Sequence, residues 1–256
     1  MDALRLSTLR PQRTNGILAI SDSLSNTPGF TEPPYGYNNA VTLDPVVQIF
    51  DTELAASGNY NGATLTLQRH GAANAQDVFS AASSALTVLT PGSYFSIDGV
   101  TIGRVTSNSA GTLTLTFNAN ATQPLVNKAM QQIAYANTSD TPPTSVQIDW
   151  TFNDGNTGAQ GTGGAMSVTG STTVQIIATN DPPVLNHSLT DQYLSANTPF
   201  SYTLPADAFT DPDLEPLSYS VRMNDGTGVP PWLSFNPVTL TFTGTPGAAD
   251  TGYLGK

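Results

Sequence analysis

A two-residue hydrophobic period is the feature that most limits what this chain can fold into. In Val146-Gln-Ile-Asp-Trp-Thr-Phe152, every second residue is apolar, so an extended chain carries Val146, Ile148, Trp150 and Phe152 on one face and polar groups on the other. The same alternation marks residues 63–69, 100–102 and 112–117, and residues 172–177 close the series. Residues 40–43 and 46–50 are shorter strand candidates. Turn-forming residues separate these runs: Asp51-Thr-Glu53-Leu54, for instance, leads into a turn through Ser57-Gly58-Asn59. Repeated short strands of this kind predict an antiparallel β-sandwich. One segment departs from the pattern. Thr122 is a suitable N-cap, Pro124 falls in the first turn, and Val126, Met130 and Ile133 follow helical spacing. A short helix is expected there, its apolar stripe packed on the sandwich edge.

The alternating series stops at Ala178-Thr-Asn-Asp-Pro-Pro-Val184, whose two prolines stiffen the backbone and mark a joint between two segments. Beyond it, Phe200, Tyr202 and Leu204 alternate, and strand candidates follow at 211–221, 230–235 and 240–246. Only about 73 residues follow Pro183, fewer than the roughly 100 of a complete sandwich. The last strands of this segment are therefore expected to be absent, and the chain to be a piece of a longer protein. Residues 1–30 show no sustained period and contain Pro11, Asn15-Gly16 and Pro28-Gly29, so a poorly ordered lead-in is expected.

Charge narrows the function. The formal net charge is −11, and three of the eight basic residues (Arg5, Arg10, Arg13) lie in the lead-in. The remaining five basic residues face eighteen acidic ones. A field of that sign repels nucleic acid and attracts divalent cations. No apolar run approaches the length of a membrane span, so this segment is not expected to insert into a bilayer. The start has no apolar core of signal-peptide length, so the expectation is that export uses a signal outside this sequence or that the true N-terminus lies upstream. There are no cysteines, so neither disulfides nor zinc thiolates hold the fold.

Both segments carry two acids at i and i+2 in comparable places: Asp51 and Glu53 in Ile49-Phe-Asp-Thr-Glu-Leu54, and Asp211 and Asp213 in Phe209-Thr-Asp-Pro-Asp-Leu214. In a turn, such carboxylates converge on one hard cation, and calcium suits them because no His or Cys is at hand. The pattern is not an EF-hand, since a loop counted from Asp211 has Pro216 where glycine belongs and Arg222 where glutamate belongs. No nucleophile elbow or zinc-protease motif is present. His70 and His187 read as turn residues, the glycines of 155–164 as a loop, and Trp150 and Trp232 as core rather than sugar-stacking residues. The protein is expected not to be an enzyme.

The second segment resembles the dystroglycan-type cadherin-like repeat of large bacterial surface adhesins, through an aromatic strand at 200–204, Phe-Thr-Asp-Pro-Asp at 209–213, Leu-Ser-Tyr at 217–219, Pro-Trp-Leu-Ser-Phe at 231–235 and Phe-Thr-Gly-Thr-Pro at 242–246. The first segment is similar to a longer cadherin-like, immunoglobulin-like repeat found beside it, through Phe30-Thr-Glu, Val41-Thr-Leu-Asp-Pro45, Ile133-Ala-Tyr-Ala-Asn-Thr-Ser-Asp140 and Phe152-Asn-Asp-Gly155. The resemblance implies an all-β chain of two tandem antiparallel sandwiches, at 31–180 and 181–256, the first with one short helix. It further implies Ca²⁺ sites that join Asn180 and Asp181 to Asp211 and Asp213, and Asp154 to Asp51 and Glu53. A further acidic turn implied after Tyr253 is not found. The expected role is a calcium-stiffened structural or adhesive module at the cell surface or outside the cell, with neighbouring repeats, a cell-surface protein or a glycan as partners. The alternative is a carbohydrate-binding accessory module of a secreted enzyme, which would need exposed aromatics on one face.

Overall fold

The computed structural model describes residues 17–20, 27–33, 40–157 and 164–250. The expectations for residues 1–16, for the heart of the glycine-rich loop and for Tyr253 lie outside them. The chain divides into two compact units, 1–179 and 180–256, each described here by itself.

In the first unit the strands are β1 (Leu18–Ile20), β2 (Gly29–Thr31), β3 (Val41–Thr42), β4 (Ile49–Asp51), β5 (Thr64–Arg69), β6 (Asp77–Ala81), β7 (Tyr94–Ile97), β8 (Val100–Ser109), β9 (Thr112–Phe117), β10 (Ile133–Asn137), β11 (Ser145–Asn153) and β12 (Ser167–Ile177). A seven-stranded sheet runs β2-β12-β11-β5-β9-β8-β7 and a three-stranded one β3-β10-β6, while β1 pairs with β4. Every neighbour is antiparallel except β2, which lies parallel to β12. The alternation read from the sequence fixes which face is inside: β11 buries Val146, Ile148, Trp150 and Phe152, and β9 buries Leu113, Leu115 and Phe117. These residues join Phe79, Ile133 and Tyr135 of the smaller sheet in one hydrophobic core, the arrangement of a sandwich. Aromatic rings meet edge-on through it, Tyr60 on Phe152 and Phe95 on Phe117, and Phe30 and Phe79 on Tyr135. The Trp150 ring is fully buried, and its indole N–H donates to Thr172 Oγ1 at 3.0 Å.

Among the described residues, two helices interrupt the strands where the sequence suggested one. The turn expected after Asp51 is a helix, α1 (Thr52–Ser57), because the Asp51 carboxylate caps it by accepting from Leu54 N–H at 2.7 Å and Gly58 ends it in the left-handed region at φ 79°. The expected helix is α2 (Gln123–Gln131), which buries Val126, Ala129 and Met130, although Thr122 makes no side-chain cap bond. Polar residues of α2 also serve the main chain of 47–49: Asn127 Oδ1 accepts from Ile49 N–H, and the Gln131 side chain donates to Val47 O. Of the 46–50 candidate, only Ile49 and Phe50 enter a ladder. Within the described part of the lead-in, residues 17–20 and 27–30, β1 and the start of β2 form ladders and Phe30 is fully buried. Their partners β4 and β12 supply the order that three-residue strands lack in isolation.

The second unit has β13 (Val184–Leu185) paired with β15 (Phe209–Thr210), and a three-stranded sheet of β14 (Phe200–Thr203), β17 (Thr241–Gly244) and β16 (Leu233–Asn236) in that order. The alternation holds, but Phe200, Tyr202, Leu233, Phe235 and Phe242 are only half-buried. Trp232 is also half-buried, and its carbonyl lies where a Cβ on Gly244 would clash, 2.2 Å away. Residues 214–223 keep the strand alternation at 217–221 without joining a ladder.

One polar network is sealed into the first unit. Asp77, with no exposed side-chain surface, receives both Nε and Nη2 of Arg69 at 2.8 and 2.6 Å, the Tyr135 hydroxyl at 2.7 Å and the Asn137 amide at 2.9 Å. The burial of Tyr135 pushes its phenol up, and the hydrogen bond and charge of Asp77 add to the shift. Removing one partner of a buried pair leaves an uncompensated charge, so Arg69→Met should cost about 3–5 kcal/mol by urea denaturation. Lys128→Met, which breaks the exposed pair with Asp98, should cost no more than about 1 kcal/mol.

Candidate metal centre

In the first unit, the acids singled out at Asp51, Glu53 and Asp154 act on one another. Asp51 ends β4 and caps α1, with its backbone N–H donating to the Tyr60 hydroxyl at 3.3 Å. Glu53 lies in the first turn of α1. Asp154 follows β11, and its Oδ1 accepts from the amides of Asn156 and Met166 at 3.0 and 2.9 Å, closing the base of the 155–165 loop. Gly155 makes this turn possible: it sits at φ 67°, and a Cβ there would lie 2.2 Å from Gly62 O. Asp51 and Asp154 are both almost fully buried. The Asp51 carboxyl is held above the usual carboxylate range, first by burial and then by the charges of Glu53 and Asp154, against the pull of the Leu54 N–H. A cation would relieve that repulsion, and hard oxygen donors suit calcium. The set fits the ion in donor type.

In the second unit, hydrogen bonds gather Asp181, Asp211 and Asp213. The Asp213 carboxylate accepts from the Asp181 backbone N–H at 2.6 Å. Asp211 Oδ1 accepts from the amides of Asp213 and Glu215 at 2.9 and 3.4 Å, which folds Phe209-Thr-Asp-Pro-Asp into a compact turn. The Asn180 side-chain amide donates to Asp181 O at 3.2 Å, so its carbonyl oxygen is outside that bond. Second carboxylate oxygens on Asp211 and Asp213 are likewise outside these bonds, leaving donors of the kind calcium prefers.

Sequence spacing missed one acidic pair. Oxygens of Glu32 and Asp140 lie within 4.8 Å of each other in the first unit, and Glu32 Oε2 accepts from Thr179 N–H at 3.2 Å while its carbonyl accepts from the Thr179 hydroxyl. The two acids are far apart in the chain. The parallel pairing of β2 with β12 brings Glu32 to the end of β12, and no local motif announces it. The histidines sit at the surface, His70 on Asp149 at 2.8 Å and His187 on Asp207 at 3.1 Å.

A family model described as "Putative Ig domain" matches residues 182–254. Among curated proteins, none matches the chain. A solved structure of a chaperone–tip adhesion subunit pre-assembly complex from archaic chaperone-usher pili of Acinetobacter baumannii is similar at 11% identity, over 72% of this chain and 68% of that one, with a TM-score of 0.24. The second segment is thus similar to an Ig-like family, and the described residues of the chain form an all-β fold with two short helices.

The raised Asp51 pKa sets a pH signature. A carboxyl whose folded pKa exceeds its unfolded value contributes stability below the unfolded pKa, and that contribution is lost as pH rises through the folded value. Asp51→Asn keeps a good N-cap and removes the charge. In chelator, the variant should therefore match the wild type in acid and melt at higher temperature once pH passes the Asp51 range. Melting curves that shift in parallel at every pH would refute the buried charge.

Proposed function

We propose that this chain is a structural or adhesive module of a surface-associated or extracellular protein, built from cadherin-like repeats whose acidic turns bind calcium. The carrying observation is the grip of the Asp213 carboxylate on the Asp181 main chain beside Asp211, which ties two separate acidic stretches of the second unit together. Carboxylates that converge on one point repel one another, and a divalent ion bound there turns that cost into attraction. The like-charge crowding at Asp51 supports the same chemistry in the first unit. Calcium bound at Asp181, Asp211 and Asp213, with the Asn180 carbonyl, holds the Asn180-Asp181 linker to the acidic turn and restricts its swing. The negative field favours cations and disfavours nucleic acid. Neighbouring repeats of a longer protein, or a cell-surface protein, are the partners such a spacer serves. No described helix is long and apolar enough to cross a membrane.

Calorimetric titration with calcium tests this reading. Extracellular modules bind with dissociation constants of about 10⁻⁴–10⁻³ M, and a tenfold excess over that constant should stabilise each site by about 1.4 kcal/mol. Asp213→Asn should abolish the response of the second unit and leave that of the first. Neither heat nor stabilisation at millimolar calcium would end the proposal.

A second reading, a carbohydrate-binding accessory module, is favoured by two exposed rings, Tyr94 at 72% and Tyr193 at 93%. Aromatic faces open to solvent are what sugar stacking uses. Glycan-array binding lost in Tyr94→Ala or Tyr193→Ala would support it over the calcium spacer.

A further inference from the structure

The second unit presents a strip of chain that behaves as a strand without a neighbour. From Leu217 to Arg222, Leu217, Tyr219 and Val221 are half-buried and Ser218, Ser220 and Arg222 exposed. Among the described residues, no strand pairs with this strip and no main-chain hydrogen bond reaches it. Backbone N–H and C=O groups left in this way are a ready template for another strand.

Beside the strip runs a groove of about 520 Å³. Phe209, Leu217, Tyr219 and Leu240 line it, with the Phe209 ring edge-on to Tyr219. Leu214 and Val238 also line it, and they are 81% and 89% exposed. Apolar surface of this kind, next to unpaired main chain, matches the mode in which an extended peptide adds to a sheet edge and seats alternate side chains in pockets.

Charge selects the occupant. The charged side chains lining the groove are Asp211 and Glu215, both at the end where the strip begins. Residues 180–256 hold eight acidic and two basic residues. A second copy of the chain would bring the same negative rim against itself, whereas a basic segment is attracted. We propose that residues 217–222 and the adjoining groove bind an extended peptide that is apolar at alternating positions and basic at the end lying beside Asp211 and Glu215.

Hydrogen exchange on the full chain, at fixed calcium, tests it. The probe is a synthetic peptide of alternating valine and threonine with two lysines at one end. It should slow exchange across 217–222. A control peptide with proline at its centre, which lacks the donor and cannot continue a ladder, should bind at least about tenfold more weakly. Glu215→Lys, exposed and outside the core, should weaken the lysine peptide about fivefold with an unchanged melting temperature. Equal protection by the proline peptide would overturn strand addition. Equal binding of a peptide carrying two glutamates in place of the lysines would overturn the charge selection. Protection of 217–222 that grows with protein concentration alone, with a dimer in sedimentation, would show that a second copy fills the strip and overturn the assignment.

Discussion

A β-sheet with one apolar face must find cover for it, and how far each unit meets that requirement governs the rest of its structure. In the first unit the seven-stranded sheet faces the three-stranded one and α2, and Trp150, Phe152, Leu65 and Leu115 are fully buried between them. Burying a side chain of this size stabilises by about 1.5–3 kcal/mol relative to exposure, and dozens of such residues share one core. The second unit has the same alternation with less to set against it. Among its described residues, the apolar ones that reach burial are Leu204, Ala208 and Pro246, and its aromatic residues stay half-open or, like Tyr193, exposed.

The first unit's core is large enough to hold charges that a small core could not. Asp77 is tolerated because Arg69, Tyr135 and Asn137 all point donors at it. Asp44 shows the opposite condition. It is fully buried, its Oδ1 accepts from Val46 N–H in the turn before β4, and its Oδ2 has no hydrogen-bond partner. Asp51 lies between the two, useful as a helix cap and strained by neighbours of like sign. Carboxylates in this molecule thus range from fully compensated to frustrated, and the frustrated ones lie at turns.

Much of this was legible in the residues. Strict alternation announced β5, β9 and β11 and named their inward faces, because a two-residue period has only one way to bury its apolar set. Thr122, Pro124 and the Val126–Met130 spacing announced α2. Helix α1 was less visible: Asp51 and Gly58 were in view as a metal ligand and a turn residue, yet they are also a helix cap and a helix stop. The strands β1 and β2 were missed because three residues carry no period, and their order comes from partners far along the chain. The acidic groupings divide on the same ground. Asp211 with Asp213 is a local motif and was read directly, whereas the approach of Glu32 to Asp140 depends on the β2–β12 pairing, which no local spacing encodes.

That parallel pairing also has a mechanical meaning. Strand β2 enters its ladder from the N-terminal side, and β12 leaves at Ile177 toward the joint, while Glu32 fastens Thr179 just beyond. Tension applied between the chain before Gly29 and the chain after Thr179 draws these neighbours in opposite directions along their own length. The hydrogen bonds between them, including the one from Glu32 N–H to Ile177 O, are then loaded together in shear rather than peeled one at a time. A domain connected in this way resists pulling at the place where the load enters it.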